Sequence, residues 1–132
     1  MSHKTEVKTK LNNLTYLTKG LDKMGIKYTV NENGELRTRG SYGVHEKVDV
    51  LIHEVNGRNT NDAIGFAKQD DGTYAATGDF WGTGVSAESL KCDATTSAKK
   101  EEVNDRLMQL GFSLNESEDN KQEVELTFSR WV

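Results

Sequence analysis

The sequence predicts an α+β domain of two layers, a mostly antiparallel sheet of about six to seven strands with two helices on one face. Three observations predict it. Two stretches repeat apolar residues at helical spacing: Leu14, Leu17, Leu21 and Met24 in one, Val103, Leu107 and Leu110 in the other. Several other stretches alternate apolar and polar residues with the period of a half-buried strand. Short turns separate these strands, which makes neighbours antiparallel, and two amphipathic helices then cover one face. The chain has 132 residues, the length of one domain running from 1 to 132.

The elements follow in order. Lys4, Glu6, Lys8 and Lys10 alternate with Thr5, Val7, Thr9 and Leu11, which is how a half-exposed edge strand guards itself. Asn12 or Asn13 caps the first helix and Gly25 stops it. Gly20 inside that helix costs about 1 kcal/mol relative to Ala, so close packing is expected there. Ile26, Tyr28 and Val30 alternate next, "NENG" turns the chain, and Leu36 begins another strand. The segment from Val44 to Val55 is the clearest strand, with Val44, Val48, Val50 and Ile52 on one face and His45, Lys47, Asp49, Leu51 and His53 on the other. "NGRNTND" reads as a loop. Ile64 and Phe66 lead into "DDG", and Tyr74 and Ala76 lead out, a hairpin. Ser86 to Cys92 is ambiguous between loop and one helical turn. Thr96 or Ser97 opens the second helix and Gly111 stops it. Two final strands, Phe112 to Leu114 and Val124 to Trp131, flank the acidic "NESEDNK".

Composition narrows the classes of function. Apolar residues make up 34% and mean hydropathy is -0.73. No run approaches the ~20 apolar residues a membrane span needs. "MSHKTEVKTK" carries charges where a signal peptide needs an apolar stretch, so the protein is expected to stay where it is made. Cys92 is the only cysteine, which fits a reducing interior and leaves no internal disulfide. The net charge of -4 is uneven: residues 1–30 carry six lysines against Glu6 and Asp22, and the rest of the chain is acidic. The basic end offers a polyanion footprint at Lys4, Lys8 and Lys10. The guarded edge strand explains the same lysines, and the acidic body opposes tight nucleic-acid binding.

Several chemistries lack their residues. On one extended strand His45 and His53 share a face but stand roughly 26 Å apart, too far for one zinc ion, so each histidine is assigned a structural or surface role. Cys92 in "LKCDAT" has no nucleophile setting and reads as a buried or half-buried spectator. Ser86 in "GVSAE" lacks the second glycine of a nucleophile elbow. The carboxylate groups at 70–71, 101–102 and 116–119 read as solvated charge. No metal and no cofactor are expected.

The stretch "TGDFWGTG" joins Phe80 and Trp81 to three glycines. It lacks a lysine for a phosphate cradle, and Asp79 repels an anion. Tyr74, Ala76, Gly78 and Phe80 share one parity, Thr77, Asp79 and Trp81 the other. Phe80 is thus the core residue and Trp81 the odd one out. The last strand repeats this: Val124, Leu126 and Phe128 face one way, Thr127, Ser129 and Trp131 the other. Either a bulge turns each indole inward, which the value of burying tryptophan favours, or both remain outside as anchors for a partner.

Taken in order, "MSH", the "TKL…L…L…MG" helix, "TRGSYG", "VDVLI", "AIGFA", "DFW", "LGF" and the terminal "RW" resemble the family of hypothetical chloroplast reading frame 35, a domain of unknown function. The likeness runs from Ser2 to Trp131. It implies a small soluble protein with no established reaction, found in red-algal plastids, cyanobacteria and their phages, with Trp81 and Trp131 at family positions. It also implies, by gene association, an AAA-type ATPase or a ferredoxin-like protein as partner. The chain departs from the family pattern at 89–102, where "SLKCDATTSAKKEE" lacks the family's aromatics, as in a reduced, phage-like version.

The expectation is therefore a non-enzymatic accessory or adaptor protein of the cytoplasm or stroma (or of the host cytoplasm, if phage-encoded), contacting a protein partner through Trp81, Trp131, Arg39 and Tyr42. A second reading is a ligand-binding module or enzyme whose pocket lies between the 39–43 and 79–84 loops. A third is a weak nucleic-acid binder led by Lys4, Lys8 and Lys10.

Overall fold

The computed structural model describes residues 4–39 and 45–111. Seven elements follow one another: β1 (Thr5–Lys8), α1 (Leu14–Lys23), β2 (Lys27–Val30), β3 (Val50–Val55), β4 (Arg58–Lys68), β5 (Tyr74–Gly78) and α2 (Ala87–Gln109). The strands form one sheet in the order β1-β5-β4-β3-β2, each antiparallel to its neighbour. The α+β class is as expected, with five strands among the described residues rather than six or seven. The final strands expected at 112–114 and 124–131, with Trp131, lie outside the described residues, as do Tyr42 and the rest of 40–44.

The meander β2-β3-β4-β5 is flanked by β1, so the chain's first two strands occupy opposite edges. Helix α1 joins them across the sheet. Five strands ~4.8 Å apart span about 19 Å, and ten helical residues cover about 15 Å of it. The Asn13 side chain accepts from the Tyr16 N–H at the helix start, and Gly25, at φ +73°, turns the chain out.

The ladder registers put Tyr28 opposite Ile52, Val50 opposite Phe66, Ile52 opposite Ile64, and Phe66 and Val7 opposite Ala76. These side chains form the helix-facing side of the sheet. Val50, Ile52, Ile64, Phe66 and Ala76 are buried there with Leu17 and Leu21 of α1 and Leu90, Ala94 and Ala98 of α2. The two helices touch at Gly20: a Cβ there would lie 2.7 Å from the Ala98 nitrogen, and the Ser97 hydroxyl donates to the Gly20 carbonyl at 2.7 Å. This is the close packing expected from a glycine in mid-helix.

Five expectations need correction. Among the described residues the strand expected from Val44 to Val55 starts only at Val50, and the strand expected at Leu36 reduces to a single bridge, Arg37 to Lys47. Residues 31–39 and 45–48 form the two described limbs of an arm instead. Val48 donates to the Leu36 carbonyl at 3.0 Å and Thr38 to that of Glu46 at 2.8 Å. Val48 lies over Gly65, on the side of the sheet opposite the helices, so its place in the apolar alternation reflects burial against the sheet outside any strand. The expected loop at 56–62 contains a two-residue turn, Asn56 and Gly57 at φ +53° and +78°, between paired Val55 and Arg58. Helix α2 begins ten residues before Ser97, capped by Ser86, whose Oγ accepts from the Ser89 N–H at 3.0 Å. Cys92 is exposed on α2 rather than buried, because it projects away from the Leu90–Ala94–Ala98 stripe.

Candidate functional site

The β5 strand ends at Gly78, whose φ of +130° and 2.2 Å approach of a Cβ position to the Ala63 carbonyl require glycine. From there the chain folds on itself. Asp79 donates its amide to the Ala63 carbonyl at 3.0 Å, and its carboxylate accepts from the Trp81 N–H at 3.2 Å. The Thr83 hydroxyl donates to the Phe80 carbonyl at 2.7 Å and accepts from the Val85 N–H at 3.2 Å. Asp79 and Thr83 are 2% and 1% exposed. The polar residues of this loop therefore point inward, to pin the backbone, and Phe80 packs partly against the core.

Trp81 is left outside, 73% exposed. The parity reading stands, and the inward packing that burial favoured does not occur for this residue. Asp79 takes the interior position, and its bond to the Trp81 amide holds the next turn outward. An indole that buries about 200 Å² when packed forfeits roughly 3 kcal/mol of transfer free energy here.

Beside this loop lies a cleft of about 530 Å³. Met24, Val55, Val85 and Leu90 line it with apolar surface, and Ser86, Ser89 and Asp93 add polar groups from the start of α2. Arg58 braces the loop, its guanidinium 3.3 Å from the Gly82 carbonyl and against Gly84.

The other sequence-predicted residues fall as follows. Arg39 is exposed, and its amide donates to the Asp62 carbonyl at 2.6 Å. Asp62 and Ala63 are consecutive in β4, so the amides of Arg39 and Asp79 bond to successive carbonyls of one strand. Lys4 pairs with Glu46 at 3.3 Å and Glu6 at 3.8 Å, while Lys8 and Lys10 are exposed. Ser86 serves as a cap. His45 bonds to the Thr38 carbonyl through Nδ1 at 3.1 Å. His53 meets Thr29 and Asp62, a grouping that sequence reasoning missed because it depends on a bulge in β3. Among the described residues no group of three or more His, Cys, Asp or Glu side chains could hold a metal ion, and no helix is long and apolar enough to cross a membrane.

Comparison with known proteins places this geometry. The sequence model of the family described as "Protein of unknown function (DUF1257)" matches residues 20–127, which include the Trp81 loop, the cleft and the grouping of Thr29, His53 and Asp62. The chain belongs to this family. It is also 28% identical to "Uncharacterized protein ycf35" of Cyanophora paradoxa over 133 aligned positions, covering 99% of this chain and 98% of that protein. No solved structure matches. The DUF1257 assignment agrees with the resemblance read from the residues, and the relative extends it through β1 and α1.

Proposed function

We propose that this DUF1257 protein is an accessory or adaptor protein that docks a protein partner through the surface around Trp81, in the cytoplasm or stroma. One observation carries the reading: an indole is held 73% exposed by a loop whose own polar groups are buried to pin it. A loop that merely turned the chain gains nothing from a tryptophan at its apex. A partner that covers the ring recovers the forfeited transfer energy, and exposed tryptophans concentrate binding energy at interfaces. The cleft beside the loop offers further apolar surface to the same partner.

The test is capture from a cyanobacterial lysate with the intact chain, followed by rebuilding the complex from purified components. Trp81→Ala weakens the rebuilt complex by about thirtyfold, the size of a hot-spot loss near 2 kcal/mol, while Trp81→Phe retains most of the affinity. Equal affinity of wild type and Trp81→Ala refutes the reading. A second reading, a ligand-binding module between the 39–43 and 79–84 loops, is supported by the adjacent anchoring of Arg39 and Asp79 on β4. It predicts that a small metabolite raises the melting temperature of the chain in the absence of any protein.

A further inference from the structure

Three side chains from three different strands meet on the arm-bearing side of the sheet. Thr29 Oγ1 lies 2.6 Å from His53 Nε2, and His53 Nδ1 lies 2.5 Å from Asp62 Oδ1. Neither contact follows from regular strand geometry. Register shifts in β3 between Ile52 and Glu54, and Asn61 and Asp62 of β4 both adopt left-handed φ, +59° and +55°. The Arg39 amide holds the Asp62 carbonyl at 2.6 Å. Two deformed strands thus bring one imidazole and one carboxylate together.

The chemistry of the groups orders the protons. A carboxylate only accepts, so the proton sits on Nδ1 and is donated to Asp62. In the neutral imidazole Nε2 is then an acceptor, and the partner it accepts from is the Thr29 hydroxyl. Hydroxyl, imidazole and carboxylate stand in the sequence that activates a nucleophile: a base within hydrogen-bond reach, itself oriented by a third group. The site is open to substrate, since Thr29 is exposed and the His53 side chain is 36% exposed. Asn31 donates to the Asp49 carbonyl, so Thr29, two residues earlier and opposite Leu51, also points its amide at β3. The amide of Val30, next after Thr29, therefore points away from β3 at the edge of the described sheet, where it is a backbone donor not used by the β2–β3 ladder.

We infer that Thr29 and His53, positioned by Asp62, form a nucleophilic relay that takes acyl groups from small activated esters. Thr29 Oγ attacks the ester carbonyl carbon, forming the Oγ–C bond as its proton passes to His53 Nε2. The tetrahedral intermediate collapses, the bond from carbon to the leaving oxygen breaks, and that oxygen takes the proton from Nε2. Acyl-Thr29 and a free alcohol result. Water, deprotonated by His53, then attacks the acyl carbon, releases the carboxylic acid and restores the Thr29 hydroxyl. This activity is independent of Trp81 and of any protein partner.

The experiment uses the full chain and p-nitrophenyl acetate. Wild type releases about one equivalent of p-nitrophenol in an initial burst, and peptide mass spectrometry finds the acetyl group on Thr29. Thr29→Ser keeps the burst and carries the label at the same position. Thr29→Val, isosteric in the strand, abolishes both. His53→Gln slows the burst about 10²-fold or more, the size of a lost general base. Asp62→Asn slows it comparably, because the amide donates to Nδ1 and leaves Nε2 protonated, unable to accept from Thr29. Asn tolerates the left-handed backbone at 62, so a melting curve close to wild type separates this positioning role from loss of structure. Acetylation confined to lysines, or labelling of Thr29 at an unchanged rate in His53→Gln, overturns the inference.

Discussion

Replacing Gly20 by alanine sets two effects of known size against each other. In an exposed helix the change gains about 1 kcal/mol. Here the new methyl group would stand 2.7 Å from the Ala98 nitrogen and 3.0 Å from its Cα, inside any tolerated contact. The obstacle is backbone rather than the end of a flexible side chain, so α1 and α2 must separate. That also stretches the 2.7 Å bond from the Ser97 hydroxyl to the Gly20 carbonyl. Overpacking of this kind costs about 1–3 kcal/mol, and a strained hydrogen bond about 1 kcal/mol more. The net expectation is destabilisation of about 1–3 kcal/mol. In thermal unfolding followed by circular dichroism, Gly20→Ala lowers Tm by several degrees, roughly 3–5 °C per kcal/mol at this chain length. Because the clash is with main-chain atoms, Ala98→Gly in the same chain fails to rescue it. A Tm at or above wild type for Gly20→Ala, or full rescue by Ala98→Gly, refutes the account of the helix contact.

Three further outcomes follow from particular atoms. The Thr77 hydroxyl is buried with no hydrogen-bond partner among the described residues, so Thr77→Val raises stability by about 1 kcal/mol in urea unfolding. Ser86→Ala removes the cap of α2 and costs about 1 kcal/mol, read by the same method, whereas Ser86→Asp keeps it. Burial pushes the Tyr28 phenol above its ordinary value near 10, and its hydrogen bond to Asp22 adds to the shift. The proton is held more tightly in the folded state, so this contribution is complete below the unfolded value and is lost as pH rises through the folded one. Wild type should therefore lose stability in that alkaline window more steeply than Tyr28→Phe, measured by urea midpoints across the range.

Legibility from sequence varied by element for physical reasons. Helix α1 was plain because every signal agreed: an asparagine cap, leucines at helical spacing, a glycine stop. The β4–β5 hairpin was plain for the same reason. The first half of α2 was obscured because its buried stripe continues from Leu90 through the small, weakly apolar Ala94 and Ala98, the latter set against Gly20. Thr96 and Ser97 then resembled a cap where the helix runs straight through. The Asn56-Gly57 turn carried a strong hairpin signal, masked by the polar residues Arg58 to Asp62 at the exposed end of β4. At the candidate site, strand parity located Trp81 outside, although the value of burying tryptophan argued the other way. What parity could not foresee was that Asp79 and Thr83 would occupy the interior. The Thr29–His53–Asp62 grouping was hidden entirely, since a bulge in one strand and two left-handed residues in the next decide it.

The placement of β1 has a consequence for synthesis. Thr5 leaves the ribosome more than seventy residues ahead of its partner Gly78, on the far side of the meander. Until β5 has emerged, the basic opening segment and the helix behind it have nowhere to dock, and closing so long a loop delays the final step. The alternating lysines that guard the finished edge thus keep the waiting segment from sticking to its neighbours. A pause in translation before residue 78 holds this protein in its most vulnerable form.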